Sequence, residues 1–346
     1  MTSVETKIRF RDPQVEMAHG AGGQASRRLI DGLFAPILFG SRPPPLGDAA
    51  HIQINETCVA FTTDSFVVRP LRFPGGSIGE LAVNGTVNDL AVSGAKAQAL
   101  VVSYVLEAGL PTHILEAEVR AMAAAAQTAG VVIAGGDTKV VEHGKADQMY
   151  ITTSGIGHLI PGLSISPAAV RPGDRILLSG PIGDHGITIL LARGDLDLEA
   201  DLRSDTRPVL PFVEALAEAV GPAVHWMRDP TRGGVATSLN ELANDCGLGI
   251  VIREELVPVR DPVRGACELL GLDPLHIANE GQFLAVVAAE AAEAALEAVR
   301  AVPGGRKAVL IGVISEQPAG AVLVTTPFGG SRIVDMLVGD PLPRIC

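Results

Sequence analysis

The sequence predicts a mixed α/β protein of the α+β type, built from two domains. Its 346 residues suffice for two domains of ordinary size, each with its own core. Val-rich runs typical of strands alternate with Ala-rich runs typical of helices in both halves of the chain. A Pro-Gly-Asp turn at residues 172–174 opens the second half, so we expect the domain boundary near residues 160–172.

The first half begins with a helix predicted over residues 24–38, after a glycine-rich loop at residues 20–23. Prolines at residues 43–45 then mark an irregular linker. Apolar periodicity predicts alternating strands and helices beyond it. The strands are predicted at 58–63, 99–107, 131–134 and 150–155, and the helices at 78–92 and 112–129.

The second half continues the alternation of strands and helices. Strands are predicted at 175–179, near 225, and at 249–253, 282–288, 308–314 and 321–325. Helices are predicted at 185–192, 208–220, 234–246, 263–270 and 290–299. Gly-Gly followed by Glu-Leu-Ala occurs in both halves, which fits either an internal duplication or chance.

The last residues form an extended arm. Prolines at 341 and 343 exclude a helix or a central strand, because proline lacks an N–H and fixes φ. From residue 329 the arm can span up to about 55 Å, at ~3.3 Å per residue. We therefore divide the chain into a glycine-rich segment with its helix (1–44), an N-terminal domain (45–165), a C-terminal α/β domain (166–330) and a mobile tail (331–346).

Composition and charge exclude several classes of protein. Hydrophobic residues make up 47% and charged residues 19%, which is globular rather than disordered. A net charge of -12 without a basic patch argues against a nucleic-acid partner. No segment approaches the roughly 20 apolar residues of a membrane span, and the charged first residues do not resemble a signal peptide. We expect a soluble, cytoplasmic protein with no membrane partner.

The four cysteines fall into two groups. Cys58, Cys246 and Cys267 lie in apolar patterns and are predicted to be small buried hydrophobes. No C-x-x-C pair is present, so neither a zinc ribbon nor a thioredoxin-type site is indicated. Cys346, the last residue, has no apolar surroundings in which to be buried, so we interpret it as a working thiol on the tail.

Aspartates next to turn residues recur along the chain, namely Asp48, Asp64, Asp89, Asp137 and Asp229. Magnesium prefers oxygen ligands and often bridges carboxylates to nucleotide phosphates, so this pattern fits a metal-nucleotide site. Each aspartate taken alone is equally compatible with a cap or a turn. Asp89 is harder to explain in that way, because an unpaired carboxylate inside an apolar helix is costly.

Other residues near glycine turns are candidates for phosphate binding or proton transfer. The loop at residues 20–23 and the Gly-Gly pair at 233–234 each precede a helix, whose free N–H groups attract phosphate, but neither matches a known nucleotide motif. Lys139 is either a phosphate ligand or acid/base group, or a solvated lysine. Glu280 is either a general base or a turn residue. His19 is the candidate histidine.

Nine motifs, in order, carry a resemblance to a known family. They lie at residues 19–24 (HGAGGQ), 62–65 (TTDS), 73–76 (FPGG), 88–95 (NDLAVSGA), 136–141 (GDTKVV), 183–186 (GDHG), 229–235 (DPTRGGV), 278–281 (ANEG) and 343–346 (PRIC). Together they resemble the HypE family of carbamoyl dehydratases, which act in hydrogenase maturation. That family belongs to the superfamily of aminoimidazole ribonucleotide synthetase and selenophosphate synthetase.

The resemblance implies a two-domain aminoimidazole ribonucleotide synthetase-like fold and a homodimer. The N-terminal sheets of the two protomers would pair into a β-barrel, and ATP with Mg²⁺ would bind in a cleft that both protomers help to form. Implied partners are a HypF carbamoyltransferase, which loads the terminal thiol, and a HypC–HypD complex, which carries the iron.

The resemblance also implies residue roles. The implied ATP- and phosphate-binding residues are Gly22, Gly23, Asp48, Asp64, Asn88, Asp89, Asp137, Thr138 and Gly233. The implied metal ligands are Asp64, Asp89 and Asp229. Asp48 has no acidic neighbour, unlike the acidic pair common in the superfamily, which weakens a metal role for it. Lys139 and Glu280 are the implied acid/base pair, and Cys346 is the implied carrier.

The implied reaction is ATP-dependent dehydration of a carbamoyl group on Cys346, giving an S-cyanate that supplies the cyanide ligand of nickel-iron hydrogenase. Two alternatives remain at this point. Another superfamily enzyme, such as a selenophosphate synthetase, would carry its reactive residue near the N-terminus, yet no cysteine precedes Cys58. A nucleotide-binding scaffold with a docking tail would use Cys346 as a metal ligand.

Overall fold

The structure is a computed structural model that describes residues 9–40, 47–194, 198, 200–339, 342 and 344–346. The helix predicted over 24–38 is confirmed as one continuous helical segment. It comprises Gln24–Leu29 (α1), a π-helical turn at Ile30–Phe34 and Ala35–Leu38 (α2). The linker predicted at the prolines lies outside the described residues.

The N-terminal domain contains a five-stranded sheet. Its strands are Ala50–Ile54 (β1), Thr57–Phe66 (β2), Ala95–Glu107 (β5), Val132–Val141 (β6) and Met149–Leu159 (β7), in the order β1-β2-β7-β5-β6. Two short strands, Arg72–Phe73 (β3) and Gly76–Ser77 (β4), form a separate ribbon. Only the β5–β6 pair is parallel, since the helix Thr112–Ala129 (α4) provides the crossover between those strands.

The helix Ile78–Val92 (α3) positions much of the site. The apolar residues of this helix point in nearly every direction around its axis, and 13 of its 15 residues are buried. It packs on the N-terminal sheet, while its last residues, Ala91 and Val92, join the core of the second domain. Asp89 therefore lies on a helix that is fixed by both domains.

The C-terminal domain contains a seven-stranded mixed sheet. Its strands are Arg175–Leu178 (β8), Val224–Arg228 (β9), Gly249–Arg253 (β10), Leu284–Val287 (β11), Val309–Ser315 (β12), Val322–Thr325 (β13) and Ser331–Val334 (β14), in the order β14-β13-β10-β12-β8-β11-β9. Its helices are Asp184–Ala192 (α5), Leu210–Val220 (α6), Gly234–Cys246 (α7), Asp261–Leu270 (α8) and Ala292–Ala301 (α9). Apolar clusters cover both faces of the central strands.

Most predicted elements are confirmed within a few residues, but three differences concern the site. Strand β1 was not predicted; it begins five residues after the last of the three prolines. Strand β14 occupies the start of the segment assigned to the tail, where it pairs with β13. Strand β6 continues to residue 141, seven residues beyond its predicted end, because Gly135 and Gly136 continue the parallel pairing with β5 instead of ending it.

The five-stranded sheet of the single chain is open, with β1 and β6 at its edges. One face is covered by α3 and α4, and the other carries exposed apolar side chains. These include Ile52, Ile54, Phe61 and Val101. Among the described residues, the helices are all too short or too polar to traverse a bilayer.

Candidate active site

Four aspartates from separate elements line one cleft between the domains. Asp48 precedes β1, Asp64 lies on β2, Asp89 on α3, and Asp229 directly follows β9. The cleft has a volume of about 200 Å³. Its other lining residues are Thr62, Thr63, Gly85, Arg228, Thr231, Arg232, Glu280 and Cys346.

Three of the four carboxylates form a tight cluster. One oxygen from each of Asp48, Asp89 and Asp229 lies within 4.8 Å of the other two. Thr62 ties this cluster together, because its hydroxyl contacts the main-chain oxygen of Asp48 at 2.6 Å and Oδ2 of Asp89 at 3.0 Å. Asp64 lines the same cleft but lies outside this cluster. The third carboxylate of the cluster is therefore that of Asp48, whereas the resemblance implied Asp64 as a metal ligand.

Mutual repulsion and burial perturb every carboxylate of the cleft. Burial raises the pKa of Asp48 to about 6 and that of Asp229 to about 8, and neighbouring carboxylates add to the shift. Burial also raises the pKa of Asp64, and it raises the pKa of Asp89 well above its ordinary value, with Asp229 and Asp48 contributing. A bound cation would offset this cost by favouring the ionised forms.

The cluster fits Mg²⁺ by its own chemistry. It offers only oxygen ligands, from side chains close enough to share one ion, and their charges are incompletely balanced by protein cations. Asp48, Asp89 and Asp229 would hold the ion, with Asp64 nearby to reach it directly or through water.

Two arginines flank the cluster, and sequence reasoning assigned a role to neither. Arg228 lies 2.9 Å from Asp48 and 2.9 Å from Glu241. Burial alone would lower the pKa of Arg228, but these carboxylates raise it on balance, so the side chain stays charged. Arg232 lies 3.7 Å from Asp64, and the negative charge at Cys346 raises its pKa most. The sequence did contain a signal for both arginines, because Arg228 directly precedes Asp229 and Arg232 follows it three residues later.

Glu280 lies in the same cleft and is buried. Burial, followed by the charges of Asp229 and Asp64, raises its pKa well above the usual range. Its main-chain N–H donates to Asp205 at 3.0 Å, and its main-chain oxygen accepts from Asn88 at 3.2 Å, so the residue is held at both ends. A carboxylate with a raised pKa is a stronger base than an ordinary one, which suits Glu280 to proton transfer.

The expectation that Cys346 lacks surroundings in which to be buried is wrong. The residue is 7% exposed and lines the cleft, and Leu342 and Ile345 are buried with it in the N-terminal core. The sequence pattern concealed this, because the covering residues belong to distant parts of the chain. The arrangement brings the thiol to the carboxylates.

Three predicted residues lie away from the cleft of their own chain. Asp137, Thr138 and Lys139 are exposed on the edge strand β6, where Lys139 pairs with Asp137 at 2.6 Å. We expected these residues at a turn, which is wrong because strand β6 runs through them. Asp64 likewise lies inside β2 rather than at its end.

Asn88 also points away from the cleft, although Asp89 lines it, because successive helical residues differ by about 100° in direction. The Asn88 amide donates to the carbonyls of Arg207 (2.9 Å) and Glu280 (3.2 Å), and its oxygen accepts from the N–H of Val209 at 2.8 Å. It joins α3 to the second domain and supports Glu280.

The glycine-rich loop before α1 is held by hydrogen bonds within the chain, and its role in phosphate binding stays a prediction. The N–H of Gly22 donates to Ser26 at 2.9 Å, and that of Gln24, next to Gly23, donates to the carbonyl of Leu337 at 2.8 Å. Gly22 packs against Arg232, where a side chain would clash with the Arg232 Cβ. Gly233, with φ 76°, begins α7 directly after the cleft residue Arg232.

His19 has a structural role rather than the functional one considered. Its ring bonds Asp12 at 2.8 Å and accepts from the N–H of Glu16 at 2.8 Å. Of the other cysteines, Cys267 is buried as predicted, while Cys58 and Cys246 are only partly buried.

Family comparisons agree with this geometry. The model of the AIR synthase related protein N-terminal domain matches residues 46–159, and that of the C-terminal domain matches residues 171–325. The carbamoyl dehydratase HypE of Azotobacter vinelandii is 50% identical over 341 residues, covering 99% of this chain and 100% of the relative.

Solved structures of HypE proteins share the fold. A HypE–HypF complex contains a chain with 44% identity and a TM-score of 0.84, over 89% of this chain and 99% of that one. HypE in complex with ATP has 44% identity and a TM-score of 0.80, over 96% and 100% of the two chains. The chain therefore belongs to the HypE family of carbamoyl dehydratases, on the two-domain fold of the AIR synthase related proteins.

Proposed function

We propose that this protein is an ATP-dependent carbamoyl dehydratase that works on a group carried by its own Cys346. The single observation that carries the proposal is the burial of Cys346 in the cleft that holds Asp48, Asp89, Asp229 and Glu280. Nucleotide use is supported by the ATP complex of a HypE relative. The relatives' printed name, carbamoyl dehydratase, supplies the reaction class.

The reaction balances as a transfer of the amide oxygen to phosphate. The oxygen of the S-carboxamide attacks the γ-phosphorus of ATP, and ADP leaves. The carbon–oxygen bond then breaks, phosphate departs with the oxygen, and two N–H protons are lost as the C≡N bond forms. The products are the S-cyanate on Cys346, ADP and phosphate.

The cleft residues divide the work. Asp48, Asp89 and Asp229 would hold Mg²⁺, which supplies charge neutralisation to the triphosphate when bound. Arg232 lines the same space and can attract phosphate oxygens, and Gly233, the N-cap residue of α7, follows it directly in the chain. Glu280 is the base we assign to an N–H proton, because it lines the cleft together with Cys346 and its raised pKa makes it a stronger base than an ordinary carboxylate.

We infer a homodimer in which a second copy supplies Asp137, Thr138 and Lys139. In one chain these residues lie on an exposed edge strand, away from the cleft. The apolar face and open edges of the N-terminal sheet fit a barrel shared by two copies. Lys139 would then reach the cleft of the other protomer as the second acid/base group.

The proposed partners follow from the chemistry of the thiol. A HypF carbamoyltransferase would load Cys346, as supported by the HypE–HypF complex of a relative. An iron-carrying HypC–HypD complex would accept the cyanide for nickel-iron hydrogenase. We place the protein in the cytoplasm with these partners.

A maturation assay tests the proposal. A strain that lacks this protein would be supplied with either wild type or Cys346→Ser, and nickel-iron hydrogenase activity would be measured. The Ser variant should give no active hydrogenase while its level and melting temperature match wild type. Full activity from the Ser variant would contradict the role of the thiol.

A further inference from the structure

The main chain of the tail is bound at three successive residues. The carbonyl of Arg344 accepts from the N–H of Arg69 at 3.3 Å, and a main-chain oxygen of Cys346 accepts from the N–H of Val67 at 3.0 Å. The carbonyl between them, on Ile345, accepts from His185 at 2.7 Å. Donors from different parts of the protein thus bind consecutive carbonyls of the tail.

Two of these bonds fix a strand-like register. Val67 pairs with Cys346 and Arg69 with Arg344, so the tail runs antiparallel to the segment that continues β2. A tail that pairs with an extended segment in this way gains affinity from the main chain. Its register determines which side chains face the cleft, because a slip of one residue turns every side chain over.

The remaining donors come from α5. His185 in its first turn donates to Ile345, and Arg193, at its C-terminal end, donates to the carbonyl of Arg344 at 2.8 Å. Gly186 on the same helix lies under the tail, because a Cβ built there would approach the Leu342 side chain to 3.4 Å. One helix outside the catalytic cleft therefore contacts the tail at both of its ends.

The ring of His185 is held in the orientation that this contact requires. Its ring is fully buried, its Nδ1 lies 2.8 Å from the Ser204 hydroxyl, and Phe73 packs edge-on against it at 5.6 Å. A carbonyl can only accept, so Nε2 carries the hydrogen and Nδ1 accepts from Ser204. Burial lowers the pKa of His185, which favours this neutral form.

We propose that α5 is a clamp that seats the tail, with His185 and Arg193 as positioning residues for Cys346. The proposal rests on the proposed function in taking Cys346 as the carrier. The bonds from His185 and Arg193 go to main-chain carbonyls of Ile345 and Arg344. The tail can therefore be seated in the same register whether the sulfur carries hydrogen, a carboxamide or a cyanate.

The test measures how fast Cys346 of the metal-free, ATP-free full-length protein reacts with iodoacetamide, by mass spectrometry of its peptide. His185→Leu removes the donor but keeps a side chain of similar size. His185→Gln can still direct an N–H toward Ile345. Arg193→Met removes the second donor. Arg300→Met is the matched control, since Arg300, near the end of α9, also donates to a carbonyl, that of Ala308 at 2.9 Å.

Loss of either donor should raise the alkylation rate of Cys346 about threefold to tenfold, as expected for one hydrogen bond. His185→Gln should restore a slow rate, and Arg300→Met should match wild type, with Cys58 as an internal reference. Unchanged Cys346 reactivity in both His185→Leu and Arg193→Met would overturn the clamp, as would wild-type Cys346 that reacts like an unfolded peptide. If His185→Leu fails to fold, Arg193→Met decides alone.

Alkylation does not require carbamoyl chemistry, so its outcome is separate from that of the proposed function. A clamp variant should also be carbamoylated by the transferase at least as fast as wild type while its dehydration slows, because Cys346 is only 7% exposed in the seated tail and a second protein must reach its thiol. A purely structural defect would slow both steps. Equal slowing of loading and dehydration would therefore count against the clamp.

Discussion

Thr62 on β2 and Asp89 on α3 lie in hydrogen-bond contact, with 3.0 Å between the hydroxyl and Oδ2. The same hydroxyl lies 2.6 Å from the main-chain oxygen of Asp48, which precedes β1. A hydroxyl has a single hydrogen to donate, so it cannot fully serve both oxygens when Asp89 is ionised. The Thr62 hydrogen bond lowers the pKa of Asp89, but burial and the neighbouring carboxylates raise it on balance. The shared hydroxyl ties three elements together around the proposed metal site.

Asp89→Asn tests the metal cluster. The amide keeps the shape but removes one anionic ligand, so ATP hydrolysis should fall at least about a hundredfold. The metal-free protein should melt at the same or a higher temperature, because repulsion from Asp48 and Asp229 is relieved. Steady-state phosphate release and a melting curve provide the measurement. Hydrolysis at the wild-type rate would make Asp89 a structural residue.

Stability of the metal-free protein should depend on pH through the same carboxylates. The pKa is raised to about 6 for Asp48 and about 8 for Asp229, so the folded form holds more protons than the unfolded form below those values. Their contribution is present at low pH and is lost as the pH rises through the folded pKa. Without metal, Tm should fall by about 2–5 °C between pH 6 and pH 8 from these groups.

Added Mg²⁺ should cancel that fall, because it binds the ionised cluster more tightly as the pH rises. The stabilisation by Mg²⁺ should accordingly be larger at pH 8 than at pH 6, and Asp229→Asn should reduce it. Differential scanning fluorimetry with Mg²⁺ or with EDTA gives both curves. A Mg²⁺ effect that is absent at both pH values would refute the assignment of the cluster.

Glu280→Gln separates proton transfer from binding. The amide fills the same space and leaves the main-chain bonds to Asp205 and Asn88 in place. The rate of S-cyanate formation in a single turnover should fall by about 10²–10⁴, the usual contribution of a general base. ATP affinity, measured by calorimetry with Mg²⁺, should stay within a few-fold of wild type. A variant that dehydrates at full rate would remove Glu280 from the mechanism.

Mixed dimers test whether Lys139 acts across the dimer. Lys139→Ala and Glu280→Gln should each be inactive alone. If Lys139 serves the partner's cleft, a randomised 1:1 mixture regains about a quarter of wild-type activity, since half of the dimers are mixed and each has one intact site. Subunits must be exchanged by co-expression. A mixture that stays inactive despite verified mixed dimers would place Lys139 in its own chain's site, or outside catalysis.

Local patterns predicted much of the fold and part of the site. The bounds of α3 follow from its apolar run, and Asp229 lies immediately after β9 as its turn residues indicate. The unpaired carboxylate of Asp89 in that apolar run indicated a site, because burial of a lone charge needs a reason, and Asp89 lines the cleft. Such features depend on near neighbours in the sequence.

The other features of the fold and the site depend on pairing between residues that are far apart in the sequence. Local sequence patterns do not reveal such pairs. Lys139 seemed to follow a glycine turn, yet parallel pairing with β5 carries β6 through both glycines. The register of Cys346 against Val67 joins residues 279 positions apart, and the donor on His185 comes from a third segment. The role of Arg232 emerges only when Asp64 and Cys346 are brought beside it.

Mass spectrometry of the peptide that ends in Cys346 tests the central claim most directly. The protein would be carbamoylated by the transferase, freed of nucleotide and then incubated with Mg²⁺ and either ATP or a non-hydrolysable analogue. The account predicts that the carbamoylated peptide loses the mass of one water with ATP only, in step with phosphate release. A carbamoylated peptide that keeps its mass while ATP is hydrolysed would contradict it.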